Sequence, residues 1–242
     1  ISRTRQLKAA GQSLWLDNIQ RRELHDGTLQ RMIREDGVCG ITSNPTIFMN
    51  AVSTSADYDQ QIRELAAQGA DAQAMYHEIT IRDIRDAAHL MLPVFEASGR
   101  EDGFVSIELD PRLAFQAEES LREARRLVAD IGMPNVMIKV PGTAAGISVA
   151  RQLTAEGVNV NVTLLFSPQR YREAAEAYIA GLERCGTRID GVRSVASFFI
   201  SRIDTKTDAR IDALAQADPA LKTLRGKAAV LSAMAAYGIC RE

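Results

Sequence analysis

Short runs of apolar and β-branched residues alternate along the chain with longer segments in which apolar residues recur every three or four positions. The short runs are apolar at nearly every position, which is typical of parallel strands covered on both faces. They predict six strands, at 13–19, 37–42, 103–109, 135–141, 158–165 and 193–200. Because strands alternate with helices, the pattern predicts a parallel α/β fold built of repeated βα units.

The clearest helical patterns follow the third and fifth strands, at 112–130 and 168–183. Asp110-Pro111 and Ser167-Pro168 stand at their beginnings, and a capping side chain followed by proline predicts a helix start. Two further helices are predicted after the sixth strand, at 203–217 and 219–236.

The segment 44–99 is too long to be a single connection between the second and third strands. Its periodicity predicts a helical insertion, with helices near 55–69 and 72–97. No internal repeat, low-complexity segment or linker rich in Pro, Gly or Ser interrupts the chain, so one domain over 1–242 is expected.

The length approaches the roughly 250 residues of an eight-stranded α/β barrel, but the strand count is six. The pattern therefore predicts a (β/α)8 barrel of the TIM type with about six βα units in this chain. We expect its open edge beside the sixth strand to be covered by the C-terminal helices, a partner subunit or further chain.

Composition excludes several classes of protein. The chain has 46% apolar and 25% charged residues with a net charge of −2, a balance that argues against nucleic-acid binding. No apolar run approaches the ~18 residues of a membrane-spanning helix. The three cysteines, Cys39, Cys185 and Cys240, lie far apart and predict reduced thiols in a cytoplasmic protein. The histidines lack the HExxH spacing, so no metal site is expected.

Active-site groups of parallel α/β proteins collect at the carboxyl ends of strands. Every predicted strand carries a polar residue at or just beyond that end. These residues are Asp17, Asn44, Glu108, Lys139, Thr163, and Ser197 together with Arg202. Any one of them alone is most often a helix cap or turn former, but six strand ends in succession favour a site.

Lys139 is the most informative of these residues, because it is one of only five lysines against 24 arginines and stands within an apolar strand. A buried ammonium is costly, and a neutral lysine amine can condense with a ketone to form a Schiff base. The alternative is a structural ion pair with Glu108 or Asp17. Spacing alone leaves both interpretations open.

The residues at these strand ends resemble those of the transaldolase family. The resemblance rests on Leu16-Asp17, Thr42-Ser43-Asn44-Pro45-Thr46, Val105 to Leu113, Met137-Ile138-Lys139-Val140-Pro141, Val160 to Ser167 and Ser197 to Arg202. It covers essentially the whole chain and is strongest to the actinobacterial-type branch.

The resemblance implies a role for each residue. Lys139 would be the Schiff-base lysine, Asp17 the base at the C4 hydroxyl, and Glu108 and Thr163 would act through a water in carbinolamine formation and dehydration. Asn44 would hold hydroxyls of the dihydroxyacetone unit, while Ser197 and Arg202 would bind the phosphate. Phe199 stands where fructose-6-phosphate aldolases carry tyrosine, which favours transfer. The resemblance implies no cofactor and no metal. The binding partners would be sugar-phosphate substrates, and the protein would be cytoplasmic.

The chain also departs from the family pattern. Members of the family continue beyond residue 242 with two more βα units, and Ser43, Thr46 and Gly142 differ from the common TTNPS and PAT sequences. Besides transaldolase in the pentose phosphate pathway, three alternatives stay open. These are octose synthesis in secondary metabolism, a class I aldolase that releases dihydroxyacetone, and a non-catalytic sugar-phosphate binder. A homo-oligomer that covers the open barrel edge is a further expectation.

Overall fold

The computed structural model describes residues 2–242, and its backbone divides into two compact units. The first unit contains the chain up to residue 113 and residues 119–139. The second unit contains residues 114–118 and 140–242.

The first unit holds the beginning of the βα series and the inserted helices. Its first elements are α1 (Arg3–Ala9), β1 (Leu14–Leu16), α2 (Arg21–His25), α3 (Thr28–Arg31), a π-helical turn (Met32–Asp36) and β2 (Val38–Thr42). The insertion consists of α4 (Pro45–Thr54), a 3-10 turn (Ala56–Tyr58), α5 (Asp59–Ala67) and α6 (Ala72–Ala97). Then follow β3 (Phe104–Glu108), a 3-10 turn (Pro111–Leu113), most of α7 (Ala117–Ile131) and most of β4 (Val136–Pro141).

These strands are parallel and pair in chain order, β1-β2-β3-β4. Ile41 on β2 and Val105 on β3 are almost fully buried, because α6 packs against these two strands. Ile138 on β4 is buried as well. At the far end of α6, the Phe95 ring meets the Phe104 ring edge-on at 5.2 Å. The carboxyl ends of all four strands therefore face one edge of a well-packed sheet.

A buried ion pair joins the beginning of α2 to α6. The Arg21 Nε donates to Asp83 Oδ1 at 2.8 Å, and the guanidinium lies 4.4 Å from the centre of the Tyr58 ring. The Asp83 side chain is fully buried, and this burial raises the pKa of its carboxyl although the Arg21 charge opposes the shift. The pair therefore depends on both partners being present.

Replacement of Asp83 by asparagine should lower the free energy of unfolding by about 3–5 kcal/mol, because it leaves the Arg21 charge buried without its counter-ion. Asp86→Asn, one turn along α6, is the matched control. Asp86 pairs with His25 near the surface, so its replacement should cost below about 1 kcal/mol. Urea unfolding measures both, and equal losses would contradict the assignment.

The second unit holds the last strands and helices. Its elements are the end of β4, α8 (Ala144–Ala155), β5 (Asn159–Leu165), α9 (Pro168–Cys185), a 3-10 segment (Gly186–Gly191), β6 (Ser194–Phe198), α10 (Ser201–Leu214), a 3-10 segment (Pro219–Leu224) and α11 (Ala228–Cys240). β5 and β6 pair in parallel. α8 and α9 pack closely where Gly181 meets Thr154, since a Cβ at 181 would lie 2.6 Å from the Thr154 Cβ.

The structure confirms six parallel strands, among the residues described, and the helical insertion between the second and third. The Ser167-Pro168 helix start is also confirmed, because Ser167 caps α9. The one at Asp110-Pro111 is wrong: Asp110 Oδ1 accepts from the Arg112 N–H in a local turn, and α7 begins only at Ala117. The helix expected at 219–236 is split, with Gly226 at a φ of +66°. The expectation of one domain over 1–242 stays a prediction.

Candidate active site

Lys139 lies in the first unit on β4, with 6% of its surface exposed. Its Nζ is 3.4 Å from Glu108 Oε2 and donates a hydrogen bond to the Ser43 carbonyl oxygen at 3.3 Å. Glu108 and Lys139 are partners in the β3–β4 register, so their side chains leave the sheet on the same face. The sheet itself thus brings the ammonium and the carboxylate together.

Ser43 fixes the third member of this cluster. It follows β2 directly and is fully buried. Its N–H and its hydroxyl both donate to the Ser106 carbonyl oxygen, at 3.2 and 2.8 Å, which ties the end of β2 to β3. The Ser43 carbonyl is therefore held in place against the Lys139 ammonium.

The cluster can act chemically as well as structurally. The ion pair with Glu108 that the sequence left open is present, and an ammonium needs such compensation when it is buried. The same carboxylate is placed to accept a proton from the ammonium, which releases the neutral amine that attacks a carbonyl carbon. The arrangement is thus compatible both with a structural ion pair and with a nucleophilic lysine.

Ser43→Ala should slow the reaction of Lys139 with a keto substrate by about fivefold, since one buried hydrogen bond contributes about 1 kcal/mol to fixing the Ser43 carbonyl. Ser43→Thr keeps the hydroxyl and should restore the rate. The rate at which borohydride traps the lysine adduct measures the effect. If the alanine and threonine variants react alike, the hydroxyl does not position the lysine.

The other candidates of the first unit are placed differently. Asp17 is exposed, directly after β1. Asn44 caps α4, because its Oδ1 accepts from the Ile47 N–H at 3.0 Å with Pro45 at the first helical position. The cap uses the side-chain oxygen, so the NH2 group of Asn44 is the part that can donate to a substrate hydroxyl.

The second unit holds the remaining candidates. Thr163 is buried on β5, and its carbonyl accepts from the Gly142 N–H at 2.7 Å. The Arg202 guanidinium lies 4.7 Å from the centre of the Phe199 ring, whose other ring neighbour is Phe166 at 5.4 Å. Ser197 donates its hydroxyl proton to Asn161 Oδ1 at 2.8 Å. The aromatic contact thus orients the arginine that the resemblance assigns to phosphate.

Two residues of these clusters were not predicted by looking for polar side chains at the strand ends. Ser43 contributes through its carbonyl oxygen, which no side-chain pattern can reveal. Asn161 is almost fully buried beside Ser197, and a signal for it exists in the sequence. Asn159, Asn161 and Thr163 alternate with apolar residues, so the period of a strand places all three on one face.

Residues 2–242 contain neither a metal-binding cluster nor a helix that could span a membrane. No group of three or more His, Cys, Asp or Glu side chains there is arranged to hold a metal ion. None of the helices in that range is both long enough and apolar enough to cross a membrane.

The protein is thus a parallel α/β protein with a buried lysine paired to a carboxylate at the ends of adjacent strands. The model of the transaldolase/fructose-6-phosphate aldolase family matches residues 14–242. The chain belongs to this family.

Curated relatives named transaldolase are similar over nearly the whole chain. The protein of Saccharopolyspora erythraea is 45% identical over 239 residues, and that of Mycobacterium tuberculosis strain H37Rv is 46% identical over 239 residues; each match covers 98% of this chain. That of Thiobacillus denitrificans is 45% identical over 237 residues and 97% of this chain. The chain spans 64%, 64% and 66% of the length of these relatives, respectively.

Proposed function

We propose that this protein is a transaldolase, which moves a dihydroxyacetone unit from a ketose phosphate to an aldose phosphate through a Schiff base on Lys139. The observation that carries the proposal is the buried Lys139 ammonium, 3.4 Å from Glu108 and hydrogen-bonded to the Ser43 carbonyl. The similarity to relatives named transaldolase supports the same reaction.

The reaction begins when the neutral Lys139 amine adds to the keto carbon of the ketose phosphate. Glu108 takes a proton from the ammonium and returns one to the carbinolamine oxygen, which leaves as water. The resulting protonated imine withdraws electrons from the neighbouring C3–C4 bond. A metal ion is not needed for this step, because the positive imine nitrogen accepts the electron pair.

Cleavage then needs a base at the C4 hydroxyl, and the family resemblance proposes Asp17 for it. As C3–C4 breaks, its electron pair forms the enamine on Lys139, and an aldehyde phosphate departs. The enamine attacks the aldehyde carbon of an aldose phosphate, and hydrolysis of the new imine frees Lys139. Thr163 in dehydration, Asn44 at the sugar hydroxyls, and Ser197 and Arg202 at the phosphate complete the proposed roles.

The test separates transfer from simple aldol cleavage. With fructose 6-phosphate alone, a transaldolase releases about one equivalent of glyceraldehyde 3-phosphate per Lys139 and then stops, since the three-carbon unit stays bound. Added erythrose 4-phosphate restarts turnover. Continued release of dihydroxyacetone without an acceptor would identify an aldolase instead. We expect transfer, because Phe199 stands where the fructose-6-phosphate aldolases carry tyrosine.

A panel of acceptors narrows the biological role. We propose the pentose phosphate pathway and the cytoplasm, and a four-carbon acceptor used faster than ribose 5-phosphate supports this. Preference for ribose 5-phosphate, which gives an eight-carbon ketose, would favour octose synthesis.

We also propose a homo-oligomer that covers the edge beside β6. Analytical ultracentrifugation tests it, and a monomer at micromolar concentration would contradict it.

A further inference from the structure

Leu164, near the end of β5, has a backbone conformation that leucine rarely adopts. Its φ is +60°, in the left-handed region. In the described part of the chain, Arg100 is the other non-glycine residue with a positive φ, and it lies in the turn that ends α6, where such a conformation is ordinary. Leu164 lies inside a strand, and a bulky apolar residue is a genuine outlier there. The cost is a factor of about 5–30 in the folding equilibrium.

The pairing of β5 with β6 shows what this conformation does. Val162 pairs with Ala196, whereas Leu165 pairs with Phe198, so β5 advances by three residues while β6 advances by two. The extra residue makes a β-bulge at Leu164. Bulges occur next to active sites, where they redirect a side chain.

The bulge separates the side chains at the end of β5. Successive side chains of a strand point to opposite faces, so Thr163 shares a face with Asn161, opposite Val162. Leu165 shares the face of Val162, because their partners on β6 are two residues apart. In a regular strand Leu165 would instead follow Thr163 on the polar face. The extra residue thus leaves Thr163 as the last side chain of that face.

Backbone contacts on both flanks hold the bulge in place. The Gly142 N–H donates to the Thr163 carbonyl oxygen at 2.7 Å, and the Phe199 N–H donates to the Leu165 carbonyl oxygen at 2.8 Å. A Cβ at position 142 would lie 3.2 Å from the Thr163 oxygen and 3.3 Å from the Leu164 oxygen, so glycine leaves room for the bulge. A strained conformation persists where its surroundings fix it in this way, and such positions cluster at functional sites.

We propose that Leu164 is a positioning residue, whose left-handed conformation makes the bulge that places the Thr163 side chain at the end of β5. The proposal rests on the proposed transfer reaction, in which Thr163 acts in dehydration of the carbinolamine. Leu164 acts through Thr163 and contacts no substrate itself. The strained backbone and its effect on Thr163 are both measurable without substrate, so a failure of the transfer reaction is distinguishable from a failure of this proposal.

Two pairs of variants test the strained conformation by urea unfolding. Glycine adopts a positive φ freely and alanine does not, so Leu164→Gly should be more stable than Leu164→Ala by about fivefold in the unfolding equilibrium constant. Val195, half-buried on β6 without a positive φ, is the matched control. There alanine should be more stable than glycine. Alanine more stable than glycine at both positions would overturn the proposal.

Leu164→Val tests the effect on Thr163. The branched valine side chain opposes a positive φ, so the bulge should relax and displace Thr163. In NMR spectra of the free protein, the Thr163 methyl signal should shift in Leu164→Val and stay in place in Leu164→Gly. An unshifted signal in a folded valine variant would overturn the proposal. If the valine variant does not fold, the glycine and alanine pair still tests it.

Kinetics test whether Leu164 acts through Thr163. Leu164→Val should slow borohydride trapping of the Lys139 adduct by about tenfold or more, with little change in the KM for the ketose phosphate. Leu164→Gly should restore the rate to within about twofold of the parent protein. In a Thr163→Val background, Leu164→Val should cause no further loss, since the group it positions is gone. An equal loss in both backgrounds would overturn the proposal. No adduct in the parent protein would instead contradict the transfer reaction.

Discussion

Replacement of Lys139 by methionine should abolish transfer, with a fall in kcat of roughly 10⁴-fold or more, because the amine that forms the covalent intermediate is lost. Methionine is close to lysine in length and suits the apolar surroundings of β4, where Lys139 is 6% exposed. The fold should therefore survive. Circular dichroism and urea unfolding check this before activity is compared.

Lys222→Met is the matched control, since Lys222 is exposed in the 3-10 segment Pro219–Leu224. Its activity should equal that of the parent protein. The non-catalytic alternative makes the opposite prediction for Lys139: sugar-phosphate binding would persist and no activity would exist to lose. Transfer that survives Lys139→Met would remove the lysine from the mechanism.

Glu108→Gln should lower kcat by about 10²–10⁴-fold, the contribution typical of a positioned acid or base. Glutamine keeps the size of the side chain but cannot carry a proton between the Lys139 amine and the carbinolamine oxygen. Glu108 Oε2 lies 3.4 Å from Nζ, the nitrogen that would form the carbinolamine. The KM for the ketose phosphate should change far less than kcat, because the loss falls on proton transfer.

Glu119→Gln is the control for this variant. Glu119 is a surface carboxylate on α7 that pairs with Arg122. Its replacement should leave kcat and the free energy of unfolding close to those of the parent protein. A merely structural Glu108 would instead give a variant with lower stability and ordinary kcat per folded molecule. Unfolding curves and steady-state kinetics on the same samples distinguish these outcomes.

The strands could be predicted from sequence because parallel strands covered on both faces are mostly apolar, as β4 is apart from Lys139. The proximity of Glu108 to Lys139 also follows, since residues at the ends of adjacent strands meet at one edge. Helix starts were harder to predict from sequence. Asp110-Pro111 has the same local signal as Ser167-Pro168, but the Asp110 carboxylate accepts hydrogen bonds from the N–H and the Nε of Arg112 and forms a local turn instead.

Some of the candidate site lies beyond what side-chain pattern can reveal. The Ser43 carbonyl is a backbone group, and its position against Lys139 depends on two hydrogen bonds to Ser106. The cavity beside Ser43 and Glu108 combines residues of α4, α6 and α7 that are far apart in the chain. The capping role of Asn44 was foreseen as one alternative, and its role toward a substrate stays a prediction, as do those of Asp17, Thr163, Ser197, Phe199 and Arg202.

The central claim is that Lys139 forms a Schiff base with a ketose phosphate, and chemical trapping tests it directly. The protein is incubated with fructose 6-phosphate, reduced with borohydride, digested and analysed by mass spectrometry. We predict a reduced three-carbon adduct on the peptide that contains Lys139, and none on the peptides of the other lysines. An unmodified Lys139 under conditions of measurable transfer, or an adduct on another lysine, would contradict the account.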